Sequence, residues 1–485
     1  MSLSFRLAGR ESLQNVCALF KMVAADMRSR GLKQWEWGIY PSREILENDI
    51  DRGVLYQMDE DGRMIGAFVL CPEQEKEYAD ANWHFGIKPA TLHRLALRPD
   101  CIGLGLAQRV LVFAKGEAEK LGYDCLRLDT SSENERALKL FHSAMTREAG
   151  TIYLSGPNIP YYCFESPLND QCPILPIRMK PAYRHGDMTP WGGDALRTIF
   201  AKDIPDDRTG EALEISAIPG LESRDEMGER LTKLIARYGR GLAGKGKEFP
   251  LLLKLIASRD KLSVQVHPDD AYAREHEGKL GKSEAWVILH AEAGAEILYG
   301  MKHGTTTAAL KAALDAGQDI EPMIERVSVK AGDVFYMPSG MVHAIGGGIV
   351  LYEIQQSSDV TYRLWDYLRT NEKGEQRELH IEKALDVIKP RLLGQRETLP
   401  ALDEPGMHRL LSVPAFVLEC ACVNGELALA PRAETFQMLT ALHALALCWE
   451  GGEMKLSPGE SALLPVRCPA LRLRGNGLAL VAAVR

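Results

Sequence analysis

Between residues 10 and 27, apolar side chains recur at Leu13, Val16, Leu19, Phe20 and Val23. That three-and-four spacing lines one face of a helix. The period then changes. In residues 53–70, GVLYQMDEDGRMIGAFVL, two apolar runs flank Asp59, Glu60, Asp61 and Gly62, which predicts a hairpin. HRLALRP at 93–99 is a further strand. A glycine-containing loop follows, then a long helix over 107–121, a strand in CLRLDT and a helix over 134–145. Residues 1–168 therefore read as one mixed α/β domain.

From 167 to 181 the periodicity stops. PLNDQCPILPIRMKP is rich in proline and has no regular spacing, so 169–180 is predicted to be a linker. Beyond it the chain reads as mainly β, with helices expected only over 305–316 and 380–388. The segments AGDVFYMPSG and PGESALLPV look like two versions of one β-turn-β element. They predict two related β-barrels in tandem, over 181–398 and 399–485. The fold class expected is thus multidomain: α/β first, then mainly-β barrels with a few helices.

One predicted strand, LSVQVHPDD at 262–270, has an informative alternation. Side chains two apart share a strand face, so Leu262, Val264 and Val266 should point one way and Ser263, Gln265 and His267 the other. A polar strand face usually meets water; here the downstream sequence suggests a metal instead.

The 485 residues carry a net charge of −8 and a sequence pI of about 5.9. This gives no basic footprint for nucleic acid or an anionic membrane, yet leaves room for a locally positive pocket. The first residues, MSLSFRLAGRESLQN, lack the apolar core of a signal peptide, and no apolar run reaches membrane-spanning length. Apart from Cys420 and Cys422, the ten cysteines are scattered singly. They read as reduced thiols in a cytoplasmic protein. Oligomeric state is not legible.

Downstream of His267, GKSEAWVIL enters a strand at Glu284, and GDVFYMPSGMVH puts His343 just after a Pro-x-Gly turn. The pattern G-x5-P-x-G-x2-H resembles the second motif of the cupin superfamily. QVHP, KSEAW, PSGMVHA and EIQQSSDVTYRLWDY, in that order, resemble class I mannose-6-phosphate isomerase in its shorter bacterial form. The resemblance runs from about Ile177 to the C-terminus and includes WGGDAL at 191–196 and RELHIEKALDVI at 377–388. It implies one zinc ion per chain held by Gln265, His267, Glu284 and His343. Nitrogen and oxygen donors suit an open, Lewis-acidic site better than a closed thiolate one.

The implied reaction interconverts mannose 6-phosphate and fructose 6-phosphate through an enediolate. It needs an electrophile or ordering template, a base and a cationic anchor. Glu353, Arg363 and Lys282 match catalytic positions of the family, and Lys254 a substrate-binding one. The base stays open among Glu353, Lys282 and a metal-bound water. The alternatives are an isomerase of another sugar phosphate, or a cupin module that binds a sugar phosphate as a sensor.

Residues 92–145, from LHRLALRPD to LFHSAM, resemble the GNAT acetyltransferases. The resemblance implies acetyl-CoA as a cofactor. Its pyrophosphate would lie on the loop of Gly103, Gly105 and Ala107 at a helix N-terminus, and its pantetheine arm along the strand ending at Leu97. Asn134 opens the last helix in the family's manner. Ile102 stands where the family has Arg or Gln, and His142 where it usually has the Tyr proposed as acid. Trp35, Trp37 and Tyr40 are candidates for an acceptor pocket, with the acceptor itself unassigned.

Overall fold

The computed structural model describes residues 3–154, 159–246, 248–370 and 373–485. Contacts divide the chain into two units, Met1–Leu175 and Pro176–Arg485.

The first unit contains strands β1 (Leu3–Leu7), β2 (Leu55–Glu60), β3 (Arg63–Cys71), β4 (Pro89–Leu97), β5 (Cys125–Ser131), β6 (Arg147–Ile152) and β7 (Tyr161–Pro167). They form one sheet in the order β1-β2-β3-β4-β5-β7-β6. The expected hairpin is present, closed by Asp61 (φ 49°) and Gly62 (φ 81°), a two-residue connection whose left-handed backbone matches strand twist. Helices α1 (Leu13–Ser29) and α2 (Arg43–Asp51) cover one sheet face, while α3 (Leu106–Lys120) and α4 (Glu135–Ala144) cover the other. Alternate residues of β3 serve the two cores: Ala67, Val69 and Cys71 on the first, Phe68 and Leu70 on the second.

The second unit begins inside the predicted linker. Strand β8 (Ile177–Met179) pairs with a strand near the C-terminus, Met179 opposite Ser461. Ile177 and Met179 are buried; three residues are too few for the apolar alternation to show among prolines. Then come β9 (Ala182–Arg184), α5 (Ala195–Phe200), β10 (Glu211–Ile215), α6 (Leu231–Tyr238), α7 (Arg240–Ala243), β11 (Leu251–Ser258), β12 (Val264–Val266) and α8 (Asp270–Glu277). They are followed by β13 (Glu284–Ala291), β14 (Glu296–Met301), α9 (Thr307–Asp315), β15 (Ile324–Ser328), β16 (Asp333–Met337), β17 (His343–Ile345), β18 (Ile349–Gln356), β19 (Tyr362–Trp365), α10 (Ile381–Val387) and β20 (Gln395–Thr398). Helices α9 and α10 are the two expected; α5 to α8 are short, and the periodicity did not reveal them.

A seven-stranded sheet, β20-β16-β13-β18-β11-β10-β9, faces a five-stranded one, β15-β14-β17-β12-β19. Between them pack Trp286, Phe335 and Leu351 from the first and Ile297, Tyr299 and Ile345 from the second. Helices α9 and α10 cover the outer face of the five-stranded sheet through Leu310, Leu314, Ala384 and Val387. The last strands are β21 (Gly406–Ser412), β22 (Phe416–Leu429), β23 (Gln437–Ala441), β24 (Leu445–Trp449), β25 (Gly452–Leu456), β26 (Ser461–Leu464) and β27 (Leu471–Val484). With β8 they make a third sheet around its own core of Leu439, Leu447 and Leu473. This is the cupin-type layering expected, except that the sheets are open ladders rather than closed barrels. Among the described residues, no helix is long and apolar enough to cross a membrane.

Candidate functional site

Strand β12 lies inside the five-stranded sheet, paired on both edges by β17 and β19, with α9 and α10 over one face and the seven-stranded sheet toward the other. Val264 and Val266 enter the core under α9 and α10. Leu262 does not join them as the alternation predicted: it lies before the strand and turns into the inter-sheet core. A register shift between Val264 and Gln265 accompanies the change. Gln265 faces inward, directly opposite His343 of β17 and Arg363 of β19. His267 follows one residue past the strand. Its carbonyl accepts the Gly340 N–H at 2.8 Å, which ties the Pro-x-Gly turn (Gly340 φ 90°) to this histidine.

His267, Glu284 and His343 converge, all at most 1% exposed. His267 Nε2 lies 3.4 Å from Glu284 Oε2 and His343 Nε2 3.1 Å from Glu284 Oε1. The Nδ1–H groups of His267 and His343 donate to the carbonyls of Val360 and Met341, each at 2.9 Å. A carbonyl only accepts, so Nδ1 carries the proton in both rings and the Nε2 lone pairs face a carboxylate. Acceptors therefore meet acceptors: Glu284 Oε1 and His343 Nε2 are buried without a hydrogen-bond partner. Such a set calls for a cation. Two neutral imidazoles, one carboxylate and the Gln265 amide alongside suit a divalent ion such as zinc. Lys282 supplies one positive charge, its Nζ 2.9 Å from Glu284 Oε2 and 3.2 Å from His267 Nε2. Burial and the Lys282 charge hold His267 well below the ordinary imidazole range. Burial alone would raise Glu284, but the Lys282 charge beside it acts the other way and the group stays a carboxylate, well below its ordinary range.

Beside this cluster lies a small cavity walled by Arg184, Lys254, Lys282, Arg363 and Arg377, by Glu211 and Glu353, and by Gln265. A buried row of charges crosses the seven-stranded sheet. Arg184 meets Glu211 at 3.3 Å, Glu211 meets Lys254 at 3.3 Å and Lys254 meets Glu353 at 3.1 Å. The Trp286 Nε1–H donates to Glu353 at 2.9 Å. Arg377 is held by Asp366 at 2.7 Å. The Arg363 guanidinium has no hydrogen-bond or ion-pair partner among the described residues, and burial and Arg377 lower its pKa. The wall thus carries five cations against two carboxylates, with one cation unengaged.

In the first unit, Gly103 (φ 89°) and Gly105 (φ 73°) form the loop before α3, with open space where a Cβ would stand. Ala107 lies in the helix's first turn and Leu97 ends β4. The Asn134 side chain caps α4 by accepting the Ala137 N–H at 3.3 Å, and it borders a cavity of about 650 Å³. Trp35 and Tyr40 line that cavity too, whereas Trp37 packs against the α1 core. His142 is 55% exposed, with its ring edge-on to Phe164 at 5.0 Å, and is not among the cavity's lining residues.

Residues 177–282 match the model for "Phosphomannose isomerase type I, catalytic domain". The mannose-6-phosphate isomerase of Streptococcus mutans is 47% identical over 204 residues, 41% of this chain and 64% of that one. The mannose-6-phosphate isomerase ManA of Bacillus subtilis is 42% identical over 231 residues, 46% of this chain and 71% of the relative. The chain belongs to the type I phosphomannose isomerase family. A crystal structure of mannose 6-phosphate isomerase from Bacillus subtilis superposes with a TM-score of 0.56 at 31% identity, covering 64% of this chain and 99% of that one. The first unit matches the "Acetyltransferase (GNAT) family" model over residues 20–145, so this phosphomannose isomerase family member carries a GNAT domain ahead of the isomerase unit.

Three charged cavity residues of the isomerase unit escaped the sequence reading. Arg184 sits just past the proline-rich stretch, Glu211 opens a strand in GEALEI, and Arg377 precedes α10. Each is a charged residue at the edge of an element, where solvation is the usual explanation, and only the fold turns it inward. WGGDAL also finds its physical reason. Trp191 is buried against the cavity, and a Cβ on Gly192 would come within 2.6 Å of Arg208 O and Gly210 N. Gly192→Ala is therefore expected to destabilise the unit by about 1–3 kcal/mol, read as a lower urea midpoint at unchanged slope.

Proposed function

We propose that the second unit is a zinc-dependent isomerase of mannose 6-phosphate and fructose 6-phosphate, and that the first is an acetyl-CoA-dependent N-acetyltransferase. The observation that carries the isomerase reading is the buried His267, Glu284 and His343 donor set beside a cavity with an unengaged guanidinium. Zinc on these residues and Gln265 would supply a Lewis acid or a template for sugar oxygens. The chain's own groups do the rest. The excess of positive charge draws the phosphate dianion, and Lys254 adds to it while fixing Glu353 in place. Arg363, across from Gln265, holds the negative oxygen of the enediolate. Glu353 serves as base, taking the C2 proton and returning it to C1. Lys282, in its ion pair with Glu284, has no lone pair to offer and acts as a donor. The acetyl-CoA reading rests on the Gly103–Gly105 turn opening α3, whose free amides suit a pyrophosphate. Ten free thiols suit a reducing, cytoplasmic setting.

The test is a coupled assay on the full chain. Mannose 6-phosphate should turn over, the rate should vanish on chelation, and zinc should restore it. Arg363→Lys is expected to lower kcat/KM about 100-fold, because a point charge replaces a planar fork. Metal-loaded chain that binds mannose 6-phosphate without turnover would favour the sensor reading instead.

A further inference from the structure

The chain between β19 and α10 is strained at one point. Tyr367 (φ 59°) and Leu368 (φ 55°) are consecutive non-glycine residues in the left-handed region, where the Cβ crowds the following carbonyl oxygen. Leu368 is 60% exposed, so its own burial does not offset the strain. What the turn achieves is the return of Arg369 onto Asp366. The Arg369 backbone N–H donates to the Asp366 carbonyl at 3.1 Å, its Nη2 to the Asp366 carboxylate, and its Nη1 to the Lys261 carbonyl at 2.6 Å. The Tyr367 ring lies against two cations, with Lys261 Nζ at 5.4 Å and the Arg369 guanidinium at 5.2 Å. Strain of this kind persists only where the surroundings over-determine it, and it gathers at functional sites.

Asp366 also holds a second guanidinium. Arg377 donates to it through Nε at 2.7 Å and Nη2 at 2.5 Å, a two-bond fork that fixes the plane of the group. Arg377 Nη1 has no partner among the described residues, and Arg377 lines the isomerase cavity. Asp366 is 5% exposed and is not among the lining residues, so it reaches the cavity only through the arginine it holds. Three guanidiniums share that wall. Arg363 lies across from Gln265, at the metal end, and Arg184 is engaged by Glu211 at 3.3 Å. Arg377 is 23% exposed and keeps one edge free. Burial lowers the Arg363 pKa, and Arg377 and Arg184 lower it further. Cations held together against their own repulsion suit an anion of more than one charge.

We propose that Asp366 is a positioning residue of the isomerase, which aims the free edge of Arg377 at the phosphate of the sugar and leaves Arg363 to the reacting end. The proposal rests on the isomerase reading of the second unit. A free arginine loses rotamer freedom when it grips a ligand; one already locked by a buried carboxylate loses little. The strained turn contributes by bringing Arg369 to the same carboxylate, which fixes Asp366 in its turn. The phosphate takes no part in the bond changes, so its grip is equal in ground and transition states and shows in KM rather than kcat.

The experiment uses the full zinc-loaded chain, with a coupled assay on mannose 6-phosphate and calorimetric titration with inorganic phosphate. Asp366→Asn should raise KM about tenfold and weaken inorganic phosphate by the same factor, with kcat within about threefold and zinc content unchanged. Arg377→Met should do the same. The double variant should be no worse than Arg377→Met alone, because Asp366 acts through that guanidinium. Asp366→Glu keeps the buried charge and serves where the amide variant does not fold; its longer arm displaces Arg377 and should raise KM about threefold. A merely structural disturbance would lower kcat or zinc content and leave phosphate affinity in place. Unchanged KM and phosphate affinity in both Asp366 variants overturn the proposal while the isomerase reading stands, and so does a double variant whose KM rises about 100-fold, the product of two independent losses. Absence of mannose 6-phosphate turnover by the zinc-loaded wild type overturns the underlying reading, and the proposal with it.

Discussion

Replacing Glu284 with alanine is expected to strip the metal from the chain and lower isomerase turnover on the order of 1,000-fold, the scale of losing a fixed electrostatic stabiliser. The reason lies in the charges. Among His267, Glu284 and His343 only the glutamate is anionic, and it faces two neutral imidazole nitrogens fixed by backbone carbonyls. Without it a divalent ion would meet neutral donors beside the Lys282 ammonium, which repels it. Metal content by emission spectroscopy and turnover by coupled assay should fall together. Glu284→Ala also leaves Lys282 buried without its partner, so part of the loss could come from unfolding. His343→Asn is the control, because it keeps the 2.9 Å Lys282–Glu284 pair and removes one donor. It too should lose metal and turnover, with its circular dichroism unchanged. A full complement of zinc in either variant, or turnover within tenfold of wild type, would show that the ion sits elsewhere.

The buried cluster of His267, Glu284 and His343 was legible in the sequence because its members stand in three ordered motifs, two of which contain a feature the backbone needs. Gly340 must adopt φ 90°, and Val264 and Val266 must be apolar because β12 is covered on its outer face. The three-layer α/β unit was legible for a similar reason, since α1 and the β2–β3 hairpin carry unmistakable periods. What stayed hidden was set by partners far along the chain. β8 is a strand only because β26 runs beside it, 282 residues further on at the Arg178–Glu460 contact. Leu262 leaves its expected face because of a bulge. Arg184 and Glu211 form part of a site only once β9, β10 and β11 align them with Lys254. Short helices such as α7, four residues long, are too brief for any period to register.

That alignment makes the second large prediction. Lys254→Met should lower the unfolding free energy of the second unit by about 3–5 kcal/mol near neutral pH, the usual result of leaving buried carboxylates without their cation. Glu211 and Glu353 are 7% and 2% exposed, and Lys254 lies between them. In the wild type, burial would raise the Glu211 pKa, but Lys254, Arg184 and Lys282 outweigh it and bring it down to about 2. A folded pKa below the unfolded one, about 4.5, stabilises the fold above pH 4.5, and that contribution fades as pH falls toward 2. With Lys254 gone, burial has the larger say and the folded pKa moves upward. The sign then reverses: the variant should gain stability as pH drops from 7 to 5, while the wild type stays level. Urea unfolding followed by tryptophan fluorescence across that range measures both slopes. Adding Glu211→Gln to Lys254→Met removes one stranded carboxylate and should return a substantial part of the loss, a coupling that Glu211→Gln alone cannot produce. Parallel pH profiles for variant and wild type would mean that Lys254 is not the counter-ion of this row, and that Glu353 is held in the cavity by Trp286 alone.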